Sequence, residues 1–149
     1  MRAGVRVAGG NSPVSQFEYE TLAEFRHQLA AFLSRRRDAA AAAGLEAQQY
    51  ELLLAIKGAP PGSQPNIKQL AEQLLLQHHS AVELTSRLEK RGLVQRQRSP
   101  QDRRSVLVSV TKAGDKVLEQ VVRYSLSQLQ LEGPHLLKTL RRLVKANPK

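Results

Sequence analysis

Apolar residues recur at helical spacing along most of the chain. Ser15-Gln16-Phe17-Glu18 has the form of a capping box, with Val14 and Tyr19 placed as a hydrophobic staple. Leu22, Phe25, Leu29, Phe32 and Leu33 follow on one helical face, so the pattern predicts a long amphipathic helix that fades in the alanines before Gly44. Tyr50, Leu53, Leu54 and Ile56 predict a second helix from about Glu46 to Lys57, ended by the Gly- and Pro-rich run Gly58 to Pro65. Asn66 and Gln69 form another capping box, opening a short helix with Ile67, Leu70, Ala71 and Leu74 on one face. After a turn at Leu75–Gln77 comes a fourth helix with Ala81, Leu84, Thr85 and Leu88 inward and Gly92 at the left-handed cap. Ser80 and Glu83 offer a competing capping box for its start; spacing from the preceding helix favours Gln77.

The period then changes from helical to alternating. Val106, Val108 and Val110 alternate with Ser105, Leu107 and Ser109, the mark of a half-buried strand. Leu93–Arg98 and Ser105–Thr111 are therefore read as a hairpin with a polar, basic tip. Thr111 caps a long helix carrying Val117, Leu118, Val121, Val122 and Leu129. Gly133-Pro134 is expected to interrupt it, with Pro134 in the first turn of a last helix. That helix sets Leu136, Leu137, Leu140, Leu143 and Val144 against Lys138, Arg141, Arg142 and Lys145 on the other side.

The chain is thus mainly α with a small β-hairpin, in the order of a winged helix–turn–helix with an added helical layer. Residues 1–14 read as a flexible N-terminal tail, 45–111 as the winged helix–turn–helix unit, and 15–44 with 112–147 as a helical dimerisation region. The first helix and the last two carry more apolar surface than so small a unit can cover. A second copy of the chain is the simplest cover, and Leu140 is expected in that interface.

Composition narrows the chemistry. At 149 residues the chain suits one domain with an accessory layer. The absence of Cys removes disulfides, thiolate metal sites and thiol nucleophiles, and Met1 is the sole methionine. A net charge of +10 points to a polyanion, nucleic acid before an anionic membrane. No run is apolar enough to span a bilayer and no signal peptide is evident, so a cytoplasmic location without membrane contact is expected. Three Phe, three Tyr and no Trp argue against a stacking platform for single strands.

The charge is concentrated where a duplex would meet such a fold. Seven cations and two anions lie between Arg87 and Arg104. A solvated charged face is the plain alternative, weakened here because the run falls on the second helix of the helix–turn–helix and the adjoining hairpin. On that helix the outward stripe is His78, His79, Val82, Glu83 and Ser86, in position for base edges in the major groove. His78, His79 and Ser86 supply donors and acceptors, Val82 fits a thymine methyl, and Glu83 can accept from cytosine N4. Arg87 is one turn further, toward a phosphate or a guanine. Arg96 and Arg98 share a strand face and suit phosphates. Arg103 and Arg104 tip a hairpin narrow enough for the minor groove, with Asp102 expected to fix one of them by a bidentate pair or else to form a surface ion pair of little consequence.

Other chemistries fare poorly. His78 and His79 diverge by about 100 degrees on a helix and share no ligand face, so no metal and no cofactor are expected. No phosphate loop, nucleophile elbow or His–carboxylate constellation is present, which argues against an enzyme. A pocket between Phe25–Phe32 and Tyr50–Leu54 is one reading of those aromatics; plain core packing is the commoner one.

The stretch Leu45 to Gly114 resembles the MarR family, the multiple-antibiotic-resistance type of winged helix–turn–helix regulators. The resemblance rests on Gln49-Tyr50 before Leu53-Leu54, on Ile67, Leu70 and Ala71, and on Ser86-Arg87-Leu88-Glu89-Lys90-Arg91-Gly92-Leu93-Val94. The family's wing signature, Asp-x-Arg followed by Leu-Thr-x-x-Gly, reads here as Asp102, Arg104, Val110, Thr111 and Gly114, with Val110 replacing the usual Leu. The resemblance implies a homodimer joined through its first and last helices, Arg104 as the minor-groove arginine and Asp102 as its buttress. It also implies a repressor released by a small lipophilic or phenolic effector bound between the dimerisation helices and the DNA-reading lobe. Glu83 stands where a neutral or basic residue is usual, Gln77 is a weak N-cap, and the lack of Cys excludes the organic-peroxide-sensing thiol branch.

Residues and resemblance together predict a sequence-specific, double-stranded DNA-binding regulator acting as a homodimer on a pseudo-palindrome, its half-sites about 10 base pairs apart. The alternative is a basic winged-helix module for non-specific DNA coating or protein assembly.

Overall fold

The computed structural model describes residues 4, 10 and 12–145. Most of the expected N-terminal tail, and residues 146 and 147 of the expected helical layer, lie outside the described residues. Five helices and one hairpin follow in the order α1 (Gln16–Ala42), α2 (Ala47–Lys57), α3 (Ile67–Leu74), α4 (His78–Lys90), β1 (Val94–Arg98), β2 (Val106–Val110) and α5 (Lys112–Lys145).

Local signals set most of these boundaries. The Ser15 hydroxyl accepts the Glu18 N–H at 3.2 Å while the Glu18 carboxylate accepts the Ser15 N–H at 2.7 Å, closing the capping box of α1. Val14 and Tyr19 stay exposed, so the expected staple buries neither. Asn66 and Gln69 exchange the same pair of bonds, 2.8 and 3.0 Å, at the start of α3. The helix–turn–helix corner is made by Leu75, a fully exposed residue with φ +56°. A left-handed non-glycine residue costs about 1–2 kcal/mol, borne here by the packing of the helices on either side. Gln77 precedes α4 without a side-chain cap, and Gly92 closes that helix at φ +72°.

The core lies beneath α2, α3, α4, the hairpin and the first turns of α5. Leu52, Leu53, Leu70, Leu88, Val94, Val108 and Val121 are essentially inaccessible there, each contributing about 1.5–3 kcal/mol of burial. β1 and β2 pair antiparallel, with Val94 opposite Val110 and Arg98 opposite Val106. The outer edge of β2 is also engaged: Val108 donates to the Pro65 carbonyl at 3.0 Å and Leu107 bridges to Asn66. The hairpin is thereby tied to the residue that caps α3.

One expectation is overturned. Gly133-Pro134 does not divide the C-terminal region into two helices; α5 runs for 34 residues with Pro134 inside it. A proline inside a helix loses one backbone hydrogen bond and crowds both the carbonyl four residues back and the preceding residue's N–H and Cβ. Gly133 has no Cβ, which removes one of those clashes, and packing against α1 offsets the rest. The ion pair Arg35–Glu132, a 3.0 Å contact between His135 Nε2 and the Glu24 carboxylate, and Gln28 donating to the Thr139 hydroxyl at 3.0 Å hold α5 to α1 on both sides of the proline.

Candidate nucleic-acid interface

The burial of α4 follows its apolar face. Ala81, Leu84, Thr85 and Leu88 are buried; His78, His79, Glu83 and Arg87 are exposed, and Val82 and Ser86 are half-buried. The outward stripe read from the sequence is therefore the free face of the helix. Beside its N-terminal half the wing leaves an open cleft of about 640 Å³, lined by His78, Val82, Arg96, Arg98, Asp102 and Arg104 together with Asn66 and Lys68. His79, Glu83, Ser86, Arg87 and Arg103 lie outside that lining. Lys68 was missed in the sequence. It is a cation on the exposed side of α3, opposite Ile67, Leu70 and Ala71, and only the bridge from Asn66 to the wing brings it to the cleft.

The wing tip is built on backbone hydrogen bonds. The Ser99 hydroxyl accepts the N–H groups of Gln101 and Asp102, and Asp102 Oδ1 accepts the Arg104 N–H at 3.0 Å. This corrects the expected pairing of Asp102 with an arginine guanidinium. A carboxylate two residues ahead of an N–H meets it in a tight turn and satisfies its acceptor locally. Asp102 thus fixes where the chain turns at Arg104 and leaves the Arg103 and Arg104 side chains exposed.

Arg96 is also placed differently from the expectation of a free phosphate ligand. Its Nε and Nη2 donate to Glu89 Oε1 at 3.1 and 2.9 Å, its backbone N–H donates to Glu89 Oε2 at 2.8 Å, and its Nη1 donates to the Ser86 hydroxyl at 3.0 Å. Ser86, read as a base contact, is itself bonded to this arginine. The Arg96 guanidinium, and after it the Arg96 backbone N–H, hold the Glu89 carboxyl below its ordinary value near 4.5, against a smaller opposing effect of burial. A lowered carboxylate contributes stability that is complete above the ordinary range and lost as pH falls through the folded-state value. The Glu89 side-chain carboxyl resonance is accordingly expected to titrate below that of an unpaired glutamate. A midpoint at or above 4.5 would contradict the pairing. Arg91 is drawn away from the interface, its Nη1 donating to the buried Gln49 at 3.1 Å.

His78 and His79 are both exposed, and among the described residues no group of three or more His, Asp or Glu is placed to hold a metal. No helix among them is long and apolar enough to cross a membrane. Tyr50, Leu52 and Leu53 are core residues, and the cavity of about 210 Å³ beside Phe32 opens toward Leu129 and Leu136 of α5, not toward α2.

Comparison with known proteins agrees with this geometry. The MarR family model matches residues 43–105. The organic hydroperoxide resistance transcriptional regulator of Bacillus subtilis is 39% identical over 56 residues, which are 38% of each chain. Thiol chemistry is not available to the present 149 residues, which contain no Cys. Among solved structures, the MarR family transcriptional regulator AbsC of Streptomyces coelicolor superposes with a TM-score of 0.73 at 19% identity, covering 91% of this chain and 93% of its own. The transcriptional repressor CouR, solved on a 23-mer DNA duplex, gives a TM-score of 0.65 at 25% identity over 91% of this chain and 98% of its own. With the motif Asp102-x-Arg104 on a wing beside the free face of α4, residues 43–105 match the MarR family of winged helix–turn–helix regulators, and the chain has the fold of that family's solved structures.

Proposed function

We propose that the chain is a sequence-specific DNA-binding transcriptional repressor that acts as a homodimer in the cytoplasm. The observation that carries the DNA reading is the cleft that sets His78 and Val82 of α4 opposite Arg98 and Arg104 of the wing. A helix stripe of His78, His79, Val82, Glu83, Ser86 and Arg87 enters the major groove, Arg98 meets phosphate, and Arg103 and Arg104 enter the minor groove. The repressor CouR, similar over most of its length, is bound to duplex DNA in its solved structure.

The homodimer is supported by an inverted arrangement of α1 and α5. The buried residues of these two helices include the polar Thr21, Ser125 and Thr139, the last accepting from Gln28 across the helix pair. Several of their large apolar residues, among them Leu22, Leu29 and Leu33 on α1 and Leu126, Leu137 and Val144 on α5, are exposed. A second copy covers that surface and sets two lobes for two half-sites. A small lipophilic or phenolic effector regulates binding by favouring a spacing of the lobes that does not fit the operator, to the extent of its differential affinity. The cavity beside Phe32 has room for one ring.

Selection from a random duplex pool at physiological salt tests the proposal: an enriched inverted repeat is expected, and equal recovery of all sequences would favour a coat protein. Arg104→Ala should weaken binding to the enriched duplex by about 1–3 kcal/mol, the scale of one good contact, without changing the dimer. Unchanged affinity in a fluorescence anisotropy titration would remove the wing from the mechanism.

A further inference from the structure

Among the described residues, Glu89 is the one carboxylate of α4 that is hydrogen-bonded to the wing. It lies in the last turn of α4 and takes three hydrogen bonds from Arg96 of β1, two from the guanidinium and one from the backbone. Three of the five guanidinium N–H groups are committed, two to Glu89 and one to Ser86 on the outward stripe of α4. The remaining two belong to a group that also lines the cleft between α4 and the wing.

Two consequences follow from this arrangement. The guanidinium is held in one orientation across the cleft, which lowers the entropy lost when it meets a ligand. The pair is also close to neutral as a unit, so Arg96 adds little to the charge that a phosphate backbone meets. An unpaired arginine at this position would do the opposite, attracting any duplex without regard to sequence.

We propose that Glu89 is a specificity-determining positioning residue, which aims Arg96 between the recognition helix and the wing and withholds its charge from non-specific phosphate contact. This rests on the reading of the chain as a duplex-DNA binder. Glu89 itself need not touch the DNA; it acts through Arg96.

The test is the salt dependence of binding to an enriched duplex and to a scrambled duplex of the same composition, measured for the wild-type chain, Glu89→Gln, and the double variant Glu89→Gln/Arg96→Gln. Glu89→Gln is expected to bind the scrambled duplex more tightly and to steepen its log–log salt slope by about 0.9, the increment for one more neutralised phosphate. Its preference for the enriched duplex should fall about tenfold, the scale of losing one oriented contact. The double variant should return to the wild-type slope while its preference stays low, which separates charge from orientation. An unchanged slope in Glu89→Gln, an unchanged preference, or parallel weakening on both duplexes overturns the inference. If the wild-type chain itself shows no preference, the DNA-reading proposal fails first, and the wild-type arm alone reveals it.

Discussion

Gly114→Ala should destabilise the chain by about 3 kcal/mol, the upper part of the range for forced overpacking, and lower Tm by about 10 °C at this chain length. Gly114 is buried in the first turn of α5, where that helix crosses the end of the hairpin. A Cβ there would be driven into the Leu93 carbonyl oxygen and would approach Val110 Cγ1 to 2.8 Å. The carbonyl cannot easily withdraw, because it accepts the Thr111 N–H at 3.1 Å. Thr111 fixes the same corner from the other side: its hydroxyl donates to the Gly92 carbonyl at 2.6 Å and accepts the Gly114 N–H at 3.1 Å. The end of the recognition helix, the wing and α5 therefore meet at one backbone crossing with no room for a methyl group. A thermal melt within a degree or two of wild type would show that this crossing is not tight.

Leu137→Glu should abolish the proposed dimer at micromolar concentration while leaving the protomer folded. Leu137 is 53% exposed within the chain, so a charge there meets water in the monomer. In a dimer closed over α1 and α5 the same charge would be buried without a partner. That costs several kcal/mol, and about 4 kcal/mol would weaken association roughly a thousandfold. Leu140, which the apolar pattern singles out equally, is half-buried against its own chain, so its replacement would disturb folding and association together. Sedimentation velocity separates the outcomes: a single-chain boundary for Leu137→Glu with wild-type helicity supports the interface, and an unaltered dimer contradicts it.

What could be read from the sequence was mostly what short range decides. Both capping boxes, Gln77 as the start of α4, the left-handed Gly92 and the paired strands depend on residues within a few positions of one another, and each formed where the pattern placed it. The free face of α4 was legible because its buried face was. Gly133-Pro134 misled because proline normally breaks helices, and the relief offered by a preceding glycine is a steric detail that composition does not display. The wing was harder because its polar partners are set by folding. Glu89 counts as a mere subtraction from the positive charge until β1 brings Arg96 onto it, and Arg91 counts as an interface cation until Gln49 takes it. Asp102, followed by two arginines, invites a charge pair, while the turn geometry gives its oxygen a backbone N–H closer to hand.

The mass of the complex formed on an enriched duplex tests most directly whether paired lobes read the two halves of one operator. Sedimentation equilibrium should give two chains per duplex carrying an inverted repeat, with half-sites about 10 base pairs apart, and no stable species with one chain. A complex with one chain per duplex, or a mass that grows with added protein irrespective of sequence, would contradict it.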